Sequence, residues 1–190
     1  MAIYTEQEAR KIMEKTLSFS TAEVCEVNLS GSESGNIRYA RNSVSTAGHQ
    51  SNQTLVIQAS YGKKSGTATI DEFDDASLEK VVKRAEELAM LSPENSEFME
   101  PLGPQMYDEA ITYVDATAKI TPDYRAEVAK SSIVPAKEKE VTAAGFLDDS
   151  NDFSAMMNSK GLFAYNKSTN VDFTVTMRSN DGTGSGWVSR

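Results

Sequence analysis

The alternation of apolar and polar residues over positions 54–70 predicts a β-hairpin on which the rest of the chain is organised. Every second residue of the first strand is apolar or small, and a glycine- and lysine-rich turn over 62–66 leads into a short return strand. Apolar residues then recur at helical spacing over 78–89, with charged residues on the opposite side. Asp74 and Asp75 are candidate N-caps of this helix, because a carboxylate there accepts from free backbone N–H groups.

The first fifty residues predict one helix and two strands. Thr5 and Glu8 have the spacing of a capping box, and the helix that they begin should end near Ser18 to Ser20. Alternation predicts strands over 25–29 and 36–40, with a turn or flexible loop over 31–35. The polar stretch 42–53 predicts a loop, or an edge strand around 43–46.

The residues after position 92 predict a linker and then a second set of elements. Residues 93–105 lack any period and are rich in Pro, Glu, Ser and Gly. Thr121 and Pro122 begin a second helix as its N-cap and first position, and Pro135 should kink that helix or stop it at Val134. Strands are predicted over 142–147, 153–157, 162–165 and 171–178, with Asp148, Asp149 and Asp152 flanking a tight turn. Further turns are predicted over 158–161 and 180–182.

The two halves of the chain repeat one order of elements: helix, strand, loop, strand, alternating strand, glycine turn and return strand. This repetition predicts an α+β fold of two similar lobes, each a mostly antiparallel sheet packed by amphipathic helices. The lobes are expected at 1–95 and 111–190, joined by a linker at 96–110. In the first lobe a long helix follows the glycine turn, whereas the second lobe stops before one. We therefore expect the second lobe to be truncated at its C-terminal end.

Composition narrows the classes of partner. The chain has 28 acidic and 19 basic residues, a net charge of −9, and no run rich in Lys and Arg. Because nucleic-acid binding depends on neutralising phosphates, we expect no direct nucleic-acid ligand. No apolar run approaches the roughly 20 residues of a membrane span, so no membrane partner is expected. The start of the chain has no apolar leader and Cys25 is the single cysteine, which favours a cytoplasmic protein.

Few side chains in this sequence could carry chemistry. His49 is the single histidine and Cys25 the single cysteine, so neither a His-x-x-x-His nor a Cys-x-x-Cys pair exists. We therefore predict no catalytic residue and no metal site in this chain. Cys25 occupies an apolar strand position and is interpreted as a small buried hydrophobic residue. The glycines at 182, 184 and 186 precede strand-like residues, whereas a phosphate loop should open a helix, and they are interpreted as a turn.

One polar segment, residues 38–49, is a candidate edge for binding an extended peptide. An edge strand can receive a peptide by backbone pairing, with side chains adding contacts. Arg38, Arg41, Asn42 and His49 are the predicted substrate-binding residues of this segment.

Four stretches carry a family resemblance: Arg41-Asn-Ser-Val44, the hairpin LVIQASYGKKSGTATI, the helix LEKVVKRAEELA and Ser92-Pro93-Glu94. Together they resemble the N-terminal part of the TldD/PmbA family, whose members are also called modulators of DNA gyrase. Segments 121–125, 158–162 and 181–182 follow the order of the family as well, so the resemblance covers nearly the whole chain. The linker is more similar to that of the PmbA-type (TldE) members.

The resemblance implies a cytosolic zinc-dependent peptidase system. TldD-type members carry His-Glu-x-x-x-His and a later cysteine in the C-terminal half, where zinc would be held, and PmbA-type members lack these ligands. No residue of this sequence matches that motif, so the resemblance implies no cofactor in this chain and no activity of the chain alone.

The expected role is to form a peptide-substrate cavity and an interface for a homodimer or for a heterodimer with a family member. Two alternatives stay open. The chain could be part of a catalytically silent peptide-binding partner subunit, or of a protein-interaction modulator of DNA gyrase.

Overall fold

The computed structural model describes residues 3–108 and 110–190, in which helices accompany long β-strands. In chain order the elements are α1 (Glu6–Ser18), β1 (Val24–Ala40), β2 (Ser43–Tyr61), β3 (Lys64–Ile70), α2 (Asp75–Leu91), α3 (Asp115–Ala118), α4 (Pro122–Glu138), β4 (Val141–Asn158), β5 (Phe163–Ser179) and β6 (Ser185–Ser189). The predicted α+β class is confirmed.

The described strands form one antiparallel sheet with the order β3-β2-β1-β4-β5-β6. The outer pairs are hairpins, β2 with β3 and β5 with β6. β1 and β4 meet at the centre: Ser159 N donates to Cys25 O at 2.8 Å, and Asn42 N donates to Ala143 O at 3.2 Å. These two bonds join opposite ends of the strands, which therefore run antiparallel. The sequence predicted both hairpins but not this central pairing.

Three of the predicted interruptions are strand in the structure. Residues 31–35 belong to β1, residues 43–53 belong to β2, and the supposed acidic turn over 148–152 belongs to β4. Gly31 and Gly35 are buried in β1, residues 43–52 of β2 are exposed, and residues 148–152 of β4 are partly or fully buried. The loop over 31–35, the acidic turn and the loop alternative for 42–53 were wrong, whereas the strand alternative over 43–46 is confirmed. Strand propensity depends on cross-strand partners, which a single sequence does not display.

The predicted helix starts are confirmed by their caps. Thr5 N donates to Glu8 Oε2 at 2.8 Å and Glu8 N donates to Thr5 Oγ1 at 3.3 Å, which completes the capping box of α1. Asp74 Oδ1 accepts from the backbone N–H groups of Ala76 and Ser77, both at 3.1 Å, at the start of α2.

The third long helix, α4, begins as predicted and ends later than predicted. Thr121 Oγ1 accepts from Tyr124 N at 3.2 Å, and Pro122 occupies the first turn, where a missing N–H costs nothing. The predicted stop at Val134 was wrong, since α4 continues to Glu138, and the predicted kink at Pro135 stays a prediction. Pro135 lies in the last turn, so only one helical hydrogen bond is lost, and the next residue, Ala136, is buried in the core.

The described chain divides into two compact units, each with its own core. The first unit comprises Met1–Gly31, Asn52–Ile111 and Asp152–Lys167. Its core joins α1 and α2 to the strands through residues such as Met13, Val27, Leu55, Val82 and Phe153.

The second unit comprises Ser32–Ser51, Thr112–Asn151 and Ser168–Arg190. Its core packs α4 on strand residues such as Ile37, Tyr39 and Leu147. The division into lobes at 1–95 and 111–190 with a linker at 96–110 stays a prediction. No helix within the described residues is both long and apolar enough to cross a bilayer.

Candidate functional site

All four predicted substrate-binding residues lie in the second unit, three of them near the β1–β2 turn. Arg38 is exposed on β1, and its Cζ lies 5.3 Å from the centroid of the Phe146 ring. Arg41 and Asn42 form the turn itself, with φ of 52° and 59°. His49 is exposed on β2, within the segment predicted to be polar loop or edge.

The side chain of Asn42 is already engaged by the protein. Its Nδ2 donates to Val141 O at 2.8 Å, and its Oδ1 accepts from Ala143 N at 2.6 Å. The side-chain amide of Asn42 therefore bonds to the backbone of β4 through both its donor and its acceptor, as the backbone of a paired strand does. These bonds hold the β1–β2 turn in place. Its contact with a substrate stays a prediction, as do those of Arg38 and Arg41.

His49 lies at a cavity of about 240 Å³ in the second unit. Its lining among the described residues is Asn36, Ile37, Ala47, Gly48, His49, Pro122 and Arg125. The structure thus brings His49 together with the start of α4, and not with the other three predicted residues.

Arg125, which lines this cavity, belongs to a buried ion pair. Arg125 Nη1 donates to Asp149 Oδ1 at 2.8 Å, and the two side chains are 5% and 10% exposed. Burial raises the pKa of the Asp149 carboxyl, while the charge and hydrogen bond of Arg125, and the nearby His49, oppose that rise. Breaking such a pair leaves an uncompensated buried charge, so the pair fixes where the guanidinium lies.

Gly35 gives the Arg125 guanidinium room. A Cβ added at Gly35 would lie 2.3 Å from Cζ, Nη1 and Nη2 of Arg125, so the planar group lies flat against the glycine backbone. A side chain at this position of β1 would displace the guanidinium. The glycine that the sequence predicted to lie in a loop therefore packs against a residue that lines the cavity.

Arg125 and Asp149 were not predicted as site residues. A signal for Arg125 existed, since it precedes Ala129 by four positions and Ile133 by eight on the buried side of α4. An arginine on an apolar stripe needs a buried acid. The identity of that acid could not be read, because Asp149 was assigned to a turn.

A larger cleft, of about 640 Å³, lies in the first unit. It is lined by the strand residues Asn28, Ser154, Met156 and Asn166. Tyr107 and Asp108, in the segment that connects α2 to α3 (the connecting segment, 92–114), also line it. The connecting segment is anchored at its start, because Asn158 Nδ2 donates to Leu102 O at 2.9 Å and Lys160 pairs with Glu100. The cleft therefore combines amide, hydroxyl and thioether groups on a backbone of strands.

Over positions 3–108 and 110–190, no three His, Cys, Asp or Glu side chains are grouped so that they could hold a metal ion. His49, the single histidine, shares its cavity with Arg125, Asn36 and residues without a polar side chain, and with no cysteine or carboxylate among the described lining residues. These residues do not fit a zinc site, which takes Cys, His or carboxylate ligands in a tetrahedral set.

Two adjacent family models match the sequence. Residues 25–89 match the model described as PmbA/TldA metallopeptidase domain 1, and residues 100–189 match the PmbA/TldA metallopeptidase central domain. The chain belongs to the PmbA/TldD family. It comprises the N-terminal domains of that family, as the resemblance in the sequence implied. No protein with a curated description matches it.

Solved structures share this PmbA/TldD fold at low sequence identity. TldE from Thermococcus kodakarensis superposes with a TM-score of 0.82 at 17% identity, over 96% of this chain and 42% of that protein. A proposed modulator of DNA gyrase from Thermotoga maritima gives 0.79 at 14% identity, over 95% and 42%. Another from Bacteroides thetaiotaomicron gives 0.77 at 16%, over 98% and 44%. The chain thus spans less than half the length of each of these proteins.

Proposed function

We propose that this chain is the substrate-cavity and dimerisation region of a cytosolic TldD/PmbA-type metallopeptidase system acting on peptides, and that it is non-catalytic alone. The cleft of the first unit carries this proposal. Its volume of about 640 Å³ falls within the roughly 300–1,000 Å³ of ligand sites. Amide and hydroxyl groups of Asn28, Ser154 and Asn166 can bond to peptide backbone groups, and Met156 offers an adaptable apolar surface.

Exposed apolar side chains support the dimerisation part of the proposal. Met99, Met106 and Ile111 in the connecting segment are 84%, 99% and 96% exposed. Apolar residues concentrated in one exposed segment mark a surface that another protein covers. A homodimer, or a heterodimer with a family member, would bury them. Zinc, where the system uses it, would be held outside this chain.

The proposal is tested by filling the cleft. Ser154 is exposed on β4, so Ser154→Trp adds bulk to the cleft without entering the core. The matched control is Thr67→Trp, an exposed hydroxyl residue of β3 that does not line the cleft among the described residues. Binding of a fluorescein-labelled pool of unstructured decapeptides is followed by anisotropy.

We expect Ser154→Trp to weaken peptide binding at least tenfold and Thr67→Trp to leave it within twofold. Unchanged binding by Ser154→Trp would contradict the cleft as the peptide site. Failure of the unmodified protein to bind any peptide of the pool would contradict the proposed function as a whole.

A second candidate function is that of a catalytically silent partner or a modulator of DNA gyrase. It is favoured by the net charge of −9, which would attract the basic surface of a DNA-handling protein, and by the names of two similar proteins. A pull-down with gyrase at low salt tests the modulator, and no retention there would exclude it. Chelation of the intact protein, of which this chain is the N-terminal region, separates a peptidase component from a silent partner, since only the former should lose function.

A further inference from the structure

We infer that the His49–Arg125 cavity of the second unit is a binding site for a carboxylate group, held by the guanidinium of Arg125 and the imidazole of His49. The inference rests on the proposed function for one point only, that the carboxylate is carried by a peptide. The cavity itself is separate from the cleft that carries the proposed function, and its residues are different.

Arg125 has donors to spare inside this cavity. The residue is 4% exposed and lines the cavity, and Asp149 takes one donor at Nη1. A guanidinium carries five N–H donors in a planar fork and can engage two carboxylates at once. Because Asp149 engages the guanidinium through Nη1 and Arg125 also lines the cavity, a carboxylate entering the cavity can be the second one.

The position of the guanidinium is fixed before any ligand arrives. Asp149 holds Nη1 at 2.8 Å, and the backbone of Gly35 lies against the flat face of the group. Such preorganisation lowers the entropy lost on binding and gives charge-assisted bonds their geometry.

The other walls favour a small anionic group with a short side chain. α4 begins at Pro122, so the positive end of its dipole faces the cavity. His49 adds a ring N–H, while Ile37, Ala47 and Pro122 supply apolar surface. A volume of about 240 Å³ is below that of a typical ligand pocket. The site therefore fits one residue of a peptide, either its C-terminal residue or an acidic side chain.

The test compares matched peptides by isothermal titration calorimetry with the whole protein. N-acetyl-Ala-Val as the free acid is compared with its C-terminal amide, which is isosteric and uncharged. A third peptide, N-acetyl-Ala-Glu amide, carries the carboxylate on a side chain. We expect the acid to bind at least tenfold more tightly than the amide, because only it forms charge-assisted bonds. Tight binding of the third peptide as well would identify side chains as a further source of the carboxylate.

Substitutions of Arg125 and His49 test whether the preference for the acid over the amide arises in this cavity. Arg125→Lys keeps a charge but loses the fork, and we expect the acid-to-amide preference to fall at least tenfold. His49→Leu changes an exposed residue that the fold does not need, and we expect the preference to fall about threefold. Lys130→Gln removes an exposed charge of α4 that pairs with Glu127 on the surface, and the preference should not change.

Equal affinity for the acid and the amide overturns the inference. A preference for the acid that persists in both Arg125→Lys and His49→Leu also overturns it. So does a preference for the acid that is lost in Lys130→Gln. A purely structural Arg125 would lower stability without changing the ratio of the two affinities. These results do not depend on decapeptide binding in the other cleft, so failure here and failure of the proposed function are distinguishable.

Discussion

Replacing Gly66 by alanine tests the closest backbone approach in the first unit. Gly66 lies in β3 opposite Ala59, under helix α2. A Cβ at this position would lie 2.2 Å from Ala89 N and 2.3 Å from Ala85 O. Both atoms belong to the helix backbone, so no rotation of a side chain can relieve the overlap.

The cost follows from how far α2 would have to move. Real Cβ atoms essentially never lie within 3.0 Å of another heavy atom, so the helix would have to retreat by roughly 1 Å. That gap forfeits a quarter to a half of the dispersion energy of each atom pair across the interface. Leu78, Val82 and Ala85 are almost fully buried there. Overpacking costs about 1–3 kcal/mol, and a clash with backbone belongs at about 3 kcal/mol. At about 2–4 °C per kcal/mol, Tm should fall by roughly 6–12 °C.

Urea denaturation followed by circular dichroism measures this loss, with two glycine variants as controls. Gly62 has φ of +56° and open space around it, so Gly62→Ala should cost about 1–2 kcal/mol from backbone strain alone. Gly186 has open space and no positive φ, so Gly186→Ala should stay within about 0.5 kcal/mol. The reasoning is refuted if Gly66→Ala is no more destabilising than Gly62→Ala.

Three further predictions concern the side chains of Glu86, Asn42 and Cys25. Glu86 is 7% exposed and accepts hydrogen bonds from Ser20 Oγ and from the backbone N–H groups of residues 21 and 22, at 2.6–3.0 Å. Glu86→Ala should therefore lower the free energy of unfolding, measured by urea denaturation, by about 3 kcal/mol. A loss under 1 kcal/mol would contradict this. Asn42→Ala should lower the free energy of unfolding by about 2 kcal/mol. Asn42→Gly should lower it less, because glycine accepts the φ of 59° that alanine does not. Equal losses in the two variants would contradict a contribution from backbone strain. Burial raises the pKa of the Cys25 thiol, so Ellman's reagent should not react with the native protein at pH 8. Because the pKa is higher in the folded state, stability should fall as pH rises past about 8.5, and Cys25→Ala should remove that part of the pH dependence.

Local signals in the sequence were sufficient for the three long helices and the hairpins, but not for the four-residue α3, which has no side-chain cap. Capping residues such as Thr5, Asp74 and Thr121 act within three positions of themselves, so their effect can be read without knowing the fold. The turn at Gly62 is local in the same way, because it requires a positive φ.

Features that depend on distant partners could not be read from the sequence. Residues 31–35 and 148–152 have the composition of turns, yet pairing across the sheet keeps them extended. The same limit applies to the cavity: His49 was predicted as a binding residue, but its neighbour Arg125 depends on an acid 24 positions further on. Asn42 was read as a binding residue because its side chain is polar, whereas its bonds run to β4, about 100 positions away.

The central pairing of β1 with β4 has a consequence for how the chain folds. The bond from Ser159 N to Cys25 O joins positions 134 residues apart. Closing so long a loop costs entropy before any contact repays it, which places the protein among slow folders. During synthesis the β1–β2–β3 portion emerges first, and β1 then exposes an unpaired edge until β4 has been made. An open edge is a template for pairing with other chains. The interval before β4 appears is therefore the period in which chaperones would protect this protein from aggregation.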